Sequence, residues 1–166
     1  KKMLPRLPLV DDVRDFWKFS KAGRKLADLH INYEKVIPYE GVKINGAELL
    51  SFIDSEPKDT QKYIVQKMRF PNKRQKSTII YNSHITIENI PEKAFEYVVN
   101  GKSAIEWIMD RYQVTVDKKS QIKNDPNDWA KEVGNPHYIL DLLLSIINVS
   151  VQTVDIVNQL PKLNFT

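Results

Sequence analysis

The sequence predicts an α+β fold in which helices pack on a small antiparallel or mixed sheet. Two observations support this prediction: residues 11–33 and 136–160 carry helical patterns, and the short apolar runs between them are rich in Ile, Val, Tyr and Phe. Helices and strands therefore follow one another in blocks rather than alternating as β-α-β units. The 166 residues are 42% hydrophobic and 28% charged, which suits one folded domain with a sizeable core.

The N-terminal part is predicted to be an extended lead-in over 1–10, followed by a single α+β domain over 11–166. Two prolines and alternating basic and apolar residues disfavour a helix in the lead-in. A helix near 12–31 comes next, with Asp11 or Asp12 as its cap. Its apolar stripe, with steps of three and four residues, is Phe16, Phe19, Gly23, Leu26, His30 and Tyr33. We expect this stripe to pack in the core, with Gly23 close to a neighbouring backbone.

The middle of the chain is predicted to hold the sheet. Residues 35–44 indicate a short strand pair or an extended loop, and Asn45 is a candidate start for a helix over 46–53. The predicted strands lie near 63–70, 78–81, 84–87 and 95–99. The second and third of these strands are expected to form a hairpin, because Asn82-Ser83 between them is a turn signal.

Three further helices are predicted in the second half of the chain. Ser103 and Glu106 have the spacing of a capping box, which opens a helix near 103–112. Asn135-Pro136 is typical of a helix start, and the helices are expected near 136–147 and 150–160. We assign Trp107 and Ile108 of the helix near 103–112, and Leu143 of the helix near 136–147, to core packing.

The composition argues against several classes of site. There is no cysteine, so disulfides and thiolate metal sites are excluded, and the three histidines are scattered. We found no apolar run of the roughly 18 residues that a membrane span needs. Gly101-Lys102-Ser103 lacks the first glycine of a phosphate-binding loop, since Glu96 stands there. No catalytic residue and no metal ligand is predicted, and the chain is expected to be cytoplasmic.

Two acidic groups are candidate magnesium sites of a nuclease. They are Asp110 with Asp117, and Asp54 with Glu56, each near lysines. Both lie in polar, turn-rich stretches without a strand scaffold to hold the carboxylates in place. A nuclease is therefore a poor fit to this chain.

The strongest functional signal is a basic window over 67–76, which carries five cations and no acidic residue. Such a segment between two strands is suited to enter a groove of nucleic acid. We expect Lys67, Lys73 and Lys76 to hold phosphates. Arg69 and Arg74 either hold phosphates or donate two hydrogen bonds to guanine, whereas Asn72 and Gln75 have the groups to pair with adenine. A solvated connection between strands is the alternative interpretation.

Two weaker basic groups accompany this window. Lys118, Lys119 and Lys123 fall in a polar loop and are predicted to contact DNA as well. The other group follows the outer face of the first predicted helix, where a polar face is also what any surface helix needs. Its members are Arg14, Lys18, Lys21 and Lys25.

Several segments, taken together, resemble the C-terminal part of type ISP restriction–modification enzymes. These are single-chain proteins that join a nuclease, an ATP-driven motor, an adenine methyltransferase and a target-recognition part. The resemblance covers most of residues 4–160, with the segments in family order. The segments are LPRLPLV, DFWKFSKAGRKLADLHINYE, KMRFP, STIIYN, YVVNGKSAIEWIMDRYQV, NDPNDW and NPHYILDLLLSIINVSVQTVDIV.

The resemblance implies sequence-specific binding of double-stranded DNA by a non-catalytic fragment of a larger enzyme. The parent would be an ATP-dependent restriction endonuclease and adenine-N6 DNA methyltransferase that uses ATP, Mg and S-adenosylmethionine in other domains, with no cofactor in this segment. Its expected partners are DNA and the methyltransferase and motor domains, with no membrane. Individual base-reading residues do not follow from the resemblance. The alternative function is a docking domain that couples those parts, for which the apolar helix 138–147 is the best support.

Overall fold

A computed structural model describes residues 10–46 and 61–163 of the chain. Two predictions fall outside the described residues, namely the extended lead-in before residue 10 and nearly all of the helix expected over 46–53. The described part contains four α-helices and short antiparallel strands, which confirms the α+β class.

The hydrophobic core is built around the C-terminal helix, here numbered α4, Tyr138–Asn158. Twelve of its 21 residues are buried, including Leu143, whose side chain has no exposed surface. The sequence predicted two helices here, and this prediction was wrong. No glycine or proline interrupts the segment, and the Ser150 hydroxyl donates a 2.7 Å hydrogen bond to the Ile146 carbonyl within the helix. The polar residues around 148–150 are therefore satisfied without a break.

By length and composition alone, α4 could also cross a membrane, although no such run was found in the sequence. Its most apolar 18-residue window has a mean hydropathy of 1.6, but 67% of that window is buried inside the protein. The apolar character of α4 is accounted for by its position at the centre of the core.

A three-stranded antiparallel sheet packs into this core. It consists of β1, Lys43–Asn45, β2, Ile79–Ile80, and β3, Thr86–Glu88, in the order β1-β3-β2. The predicted hairpin between the second and third runs is thus confirmed, and the extended segment before it contributes one strand. Gly46 follows β1 with a φ of +84°, and a Cβ there would lie 1.7 Å from the His84 carbonyl oxygen. Only glycine fits this close approach of two backbones.

The strand predicted over 63–70 is not formed. Its one ladder contact is an isolated antiparallel bridge between Arg69 and Ile80. Val65 is fully buried as its apolar character suggested, but its backbone N–H and C=O bond to the Asn127 side chain. A side-chain amide therefore satisfies the groups that a neighbouring strand would have satisfied.

Four shorter strands form two more antiparallel hairpins. They are β4, Val98–Val99, with β5, Lys102–Ser103, and β6, Thr115–Val116, with β7, Lys123–Asn124. The predicted strand 95–99 is correct only in its last two residues, since Phe95 ends a 3-10 helix, Glu92–Phe95. The second hairpin was not predicted, because its strands lie in a polar stretch.

The first helix, α1, spans Val13–Ile31 and is capped by Asp12, which accepts a hydrogen bond from the Arg14 amide. Its predicted apolar stripe is not buried: the structure describes the whole helix, and none of its residues is buried. Phe16 is exposed, and a Cβ placed on Gly23 would meet nothing within 4 Å beyond its chain neighbours and the adjacent backbone of its own helix. The first half of α1 was therefore wrongly assigned to the core.

Two further helices complete the described part, α2, Ala104–Arg111, and α3, Asn127–Glu132. The predicted capping box at the start of α2 is confirmed: Ser103 accepts from the Glu106 amide, and Glu106 accepts from the Ser103 amide. Trp107 was expected in the core but is 42% exposed, because its indole N–H donates to the Val99 carbonyl at the surface.

Replacing Leu143 by alanine is expected to lower the free energy of unfolding by about 2–5 kcal/mol, because a fully buried leucine leaves a cavity. Urea denaturation measures this loss. Val157→Ala on the same helix is the control: Val157 is 47% exposed, so its replacement is expected to change stability by less than about 0.5 kcal/mol. Equal losses in the two variants would contradict the central position of α4.

Candidate nucleic-acid interface

The basic window forms a surface loop, called here the basic loop, residues 67–76. Its start is held to β2 by two backbone bonds, Arg69 N–H to the Ile80 carbonyl (3.1 Å) and Ile80 N–H to the Arg69 carbonyl (2.8 Å). Met68, 3% exposed, anchors it in the core. The cations of the loop all lie in exposed positions. The loop thus presents positive charge on a backbone that the sheet holds at one end.

Asn72 builds the turn at the tip of the basic loop. Its side-chain oxygen accepts 3.0 Å hydrogen bonds from the amides of Arg74 and Gln75, and its Nδ2 donates to Gln75 Oε1 at 3.1 Å. Asn72 and Gln75 were predicted to pair with adenine. In this structure the two side chains bond to each other and set the turn that carries Lys73 and Arg74.

Lys76 ties the end of the basic loop to α2. Its Nζ lies 2.9 Å from Glu106 Oε1 and within 6 Å of the ring centres of Phe70 and Phe95 (5.9 and 5.7 Å). Burial opposes ionisation of Glu106, but hydrogen bonds from Lys76 and Ser103 outweigh it and lower the pKa of this carboxyl. The charge of Lys76 is therefore already neutralised within the fold.

The other cations of the basic loop have no ion-pair partner in the described ranges. They are Lys67, Arg69, Lys73 and Arg74. An unpaired, exposed cation can bind a phosphate without first giving up a carboxylate. The structure thus divides the predicted phosphate contacts into four free cations and one paired cation.

The second predicted group lies on the β6–β7 hairpin, with Lys118 and Lys119 in its loop and Lys123 in β7. Asp117 organises this loop: its Oδ1 accepts from the Ser120 amide (2.7 Å), the Ser120 hydroxyl (2.9 Å) and the Lys119 amide (3.0 Å). These hydrogen bonds, with those from Ser120 the strongest, lower the pKa of Asp117. Lys118 and Lys119 are exposed on the loop, whereas Lys123 pairs with Asp125 at 2.8 Å.

The two loops share one anchor, formed by Val65 and Gln66. The Asn127 side chain accepts from the Val65 amide (2.9 Å) and donates to the Val65 carbonyl (2.8 Å). On the other side of the β6–β7 hairpin, the Val114 amide donates to the Gln66 carbonyl at 2.9 Å. The residues that flank this hairpin, Val114 and Asn127, are therefore bonded to Val65 and Gln66, which lead directly into the basic loop. In the sequence Asn127 stands in the run Asp125-Pro126-Asn127-Asp128, which is typical of a turn and does not indicate this long-range contact.

A shallow depression of about 300 Å³ lies between the basic loop and α2. Arg69 borders it on the loop side, and Lys102 and Asp110 border it on the other side, where they form an ion pair. Lys102 also lies 5.3 Å from the centre of the Trp107 ring. Lys102 is not among the predicted contact residues, because this single cation stands in β5, outside the basic window.

The remaining basic group lies on α1, which is distant in the sequence from the anchor residues Val65 and Gln66. Arg14, Lys18, Lys21 and Lys25 are all exposed, and Lys18 pairs with Asp15 at 2.8 Å. Of the carboxylates weighed for a nuclease, Asp117 holds its own loop and Asp110 pairs with Lys102, while Asp54 and Glu56 lie outside the described residues.

Replacing Asn127 by alanine is expected to lower the free energy of unfolding by at least about 2 kcal/mol. The amide and carbonyl of buried Val65 would both lose their partner, at about 1–3 kcal/mol each. Chemical denaturation measures the loss. Asn124→Ala, at an exposed position in β7, is the matched control and should leave stability nearly unchanged. A similar loss in both variants would contradict the role of Asn127 as an anchor.

Replacing Glu106 by glutamine is expected to lower stability at neutral pH by up to about 1 kcal/mol, because the pair with Lys76 is partly exposed. The pKa of Glu106 is lowered in the folded state, so the ionised carboxyl stabilises the fold above the ordinary value of 4.5. That contribution is lost as the pH falls through the lowered pKa. The stabilities of the parent chain and of the variant should therefore converge in acid.

Urea denaturation of both proteins between neutral and strongly acidic pH measures this convergence. Glu132→Gln, at an exposed position on α3, serves as the control for loss of one negative charge. A difference between the parent chain and Glu106→Gln that stays constant with pH would show that charge pairing with Lys76 is not its cause.

Comparison with known proteins shows the family of the chain. The Type ISP C-terminal specificity domain matches residues 1–142. Among solved structures, "ATP-dependent Type ISP restriction-modification enzyme LlaBIII bound to DNA" is 45% identical over 98% of this chain, with a TM-score of 0.80. A nuclease-deletion mutant of the Type ISP enzyme LlaGI, in complex with a DNA substrate mimic, is 46% identical over 100% of it, with a TM-score of 0.81.

A more distant structure, of the DrdV–DNA complex, is 26% identical over 95% of this chain, with a TM-score of 0.70. No curated protein matches the chain. The chain spans 10% of the LlaBIII chain, 14% of the LlaGI chain and 15% of the DrdV chain. The match to the specificity-domain family covers most of the sequence, and the resemblance noted from the sequence is confirmed. The chain belongs to the family of Type ISP C-terminal specificity domains.

Proposed function

We propose that this chain recognises a target sequence in double-stranded DNA as the target-recognition part of a restriction–modification enzyme. One observation carries the proposal: LlaBIII and LlaGI, solved with DNA or a DNA substrate mimic, are 45% and 46% identical to nearly the whole chain. The basic loop and the β6–β7 loop, both anchored at Val65 and Gln66, supply the positive charge that binding of DNA phosphates needs.

The proposed phosphate contacts are the cations that have no ion-pair partner in the described part of the chain. On the basic loop they are Lys67, Arg69, Lys73 and Arg74, and on the β6–β7 loop they are Lys118 and Lys119. Arg69 and Arg74 are also the proposed readers of guanine, because a guanidinium can donate two parallel hydrogen bonds to one base edge.

The other predicted contact residues have a first role within the protein. Lys76 and Lys123 would reach a phosphate only by leaving Glu106 and Asp125. Asn72 and Gln75 would pair with adenine only by giving up the hydrogen bond between them. We propose that these four residues shape the two loops rather than contact DNA directly.

The chain is proposed to act without a catalytic site or a cofactor of its own. ATP, Mg and S-adenosylmethionine would be used by other domains of a cytoplasmic parent enzyme, an ATP-dependent restriction endonuclease and adenine-N6 methyltransferase. The engagement of Asp117 and Asp110 with their own surroundings supports this division of labour. The alternative, a docking domain built on helix 138–147, loses its main support because most of that segment is buried.

Replacing Lys73 by alanine is expected to weaken binding to all duplexes and to reduce the slope of log K against log salt by about 0.9, as for one lost phosphate contact. Fluorescence anisotropy with a mixed-sequence duplex, titrated at several salt concentrations, measures both effects. Lys76→Ala is expected to change the slope less, because Lys76 is paired with Glu106.

Lys43→Ala is the matched control, since Lys43 lies on β1 and faces Glu88 at 3.9 Å. Its salt slope should equal that of the parent chain. If the parent chain showed no salt-dependent affinity for DNA, either alone or within the complete enzyme, the proposed function would be refuted.

A further inference from the structure

The sequence contains two Asn-Gly pairs, Asn45-Gly46 and Asn100-Gly101. In such a pair the side-chain carbonyl carbon of asparagine lies next to the backbone nitrogen of the following residue. Glycine has no side chain to hinder the attack of this nitrogen, and asparagine is among the thermolabile residues of proteins. The backbone decides whether the two atoms can meet, so the surroundings of each pair determine its reactivity.

Asn100 and Gly101 form the two-residue turn between β4 and β5. Their φ angles are 50° and 84°, as in a type I′ turn. Asn100 is exposed, and its carboxamide has no hydrogen-bond partner within the described residues. In the same part of the chain, the Gly101 amide donates no backbone hydrogen bond, and a Cβ placed on Gly101 would meet nothing within 4 Å beyond its chain neighbours. Both reacting groups are therefore unengaged.

The strands on either side of this turn are short. The β4–β5 ladder has two residue pairs, Val98 with Ser103 and Val99 with Lys102. The two valines are 55% and 40% exposed, so little apolar burial holds the hairpin closed. A segment with so few buried contacts opens locally at low cost, and opening allows the backbone to rotate until the Gly101 nitrogen reaches Cγ of Asn100.

The other Asn-Gly pair is held more firmly. Asn45 is the last residue of β1 and pairs with Thr86 of β3, in a ladder of three residue pairs. The backbone of Gly46 packs against the His84 carbonyl. Asn82, which precedes the small residue Ser83, accepts hydrogen bonds from the His84 and Ile85 amides and donates to two backbone carbonyls. The fold therefore restrains these asparagines and leaves Asn100 free to react.

We propose that Asn100 is a site of spontaneous deamidation and that the product weakens DNA binding. The Gly101 nitrogen attacks Cγ of Asn100, the N–Cγ bond forms, the Cγ–Nδ2 bond breaks, and ammonia leaves with the proton of the Gly101 amide. Water then opens the cyclic succinimide at either carbonyl and gives aspartate or isoaspartate. The balance is asparagine and water giving a carboxylate and an ammonium ion.

The effect on DNA rests on the proposed function, because the new carboxylate lies at the edge of the proposed DNA-binding surface. Lys102 follows two residues after Asn100, within about 7 Å along an extended chain. It borders the shallow depression on the side opposite Arg69. A negative charge here opposes the approach of phosphates to both cations. Isoaspartate also lengthens the backbone of the turn, which disturbs the pairing of Val99 with Lys102.

Peptide mapping by mass spectrometry, on the complete enzyme aged in mildly alkaline buffer, measures the modification. Trypsin places Asn100 in the peptide 94–102, Asn45 in 44–58 and Asn82 in 77–93. In the folded enzyme the first peptide should be deamidated at least about tenfold faster than the other two, because the short hairpin opens more easily than the three-stranded sheet. In enzyme unfolded by urea, the two Asn-Gly peptides should react at similar rates.

The effect on DNA is measured with Asn100→Asp, which creates one of the two products. In fluorescence anisotropy with a mixed-sequence duplex, this variant of the complete enzyme should bind about two- to fivefold more weakly at low salt, the scale of one exposed charge interaction, and the difference should shrink as salt rises. Asn158→Asp is the matched control, since it makes the same change at the exposed last residue of α4 and should leave the affinity unchanged. Asn100→Gly accepts the positive φ and should keep its affinity on ageing.

Two results would overturn the proposal. Equal rates at Asn100 and Asn45 in the folded enzyme would show that the open turn does not promote the reaction. Equal DNA affinities of Asn100→Asp and the parent enzyme would show that the carboxylate does not act on DNA. An enzyme that is deamidated at Asn100 but has no salt-dependent affinity for DNA would refute the proposed function and support the modification site, so the two failures are distinguishable.

Discussion

Burial of α4 is the constraint on which the rest of the described structure depends. A helix with twelve buried positions must be covered on most of its sides, and α1, α2 and the 3-10 helices Tyr33–Lys35 and Glu92–Phe95 provide that cover, with the sheet in the same core. Hydrophobic burial is non-directional, so short pieces suffice for it. This explains why the strands are only two or three residues long and why much of the chain is left as surface loops.

Because the sheets are so short, side chains rather than strand ladders hold the loops. Asn127 bonds to Val65, Asn72 closes the turn of the basic loop, Asp117 holds the β6–β7 loop, and Glu106 joins helix α2 to Lys76. Of these four side chains only Asn127 is buried, and its bonds contribute most through the cost of leaving the Val65 backbone groups unsatisfied. In such an arrangement the tip of a loop can change in sequence while its anchor stays the same.

The same geometry separates charge that is available for binding from charge that the fold already uses. Lys76 and Lys123 have carboxylate partners, whereas the free cations of the two loops can release counterions when phosphates arrive. The exposed rings of Phe16 and Trp17 lie on a different element, α1.

Local signals in the sequence determined the α+β class, the starts of α1 and α2, the β2–β3 hairpin and the basic loop, because caps, turns and runs of charge act over a few residues. The sequence also placed Leu143 in the core. Only the tertiary structure decided that α4 is one helix, that Val65 bonds to Asn127 instead of a strand, and that Phe16 and Trp107 are exposed. Each of these depends on partners distant in the chain, and periodicity shows which side chains share a face without showing what covers that face.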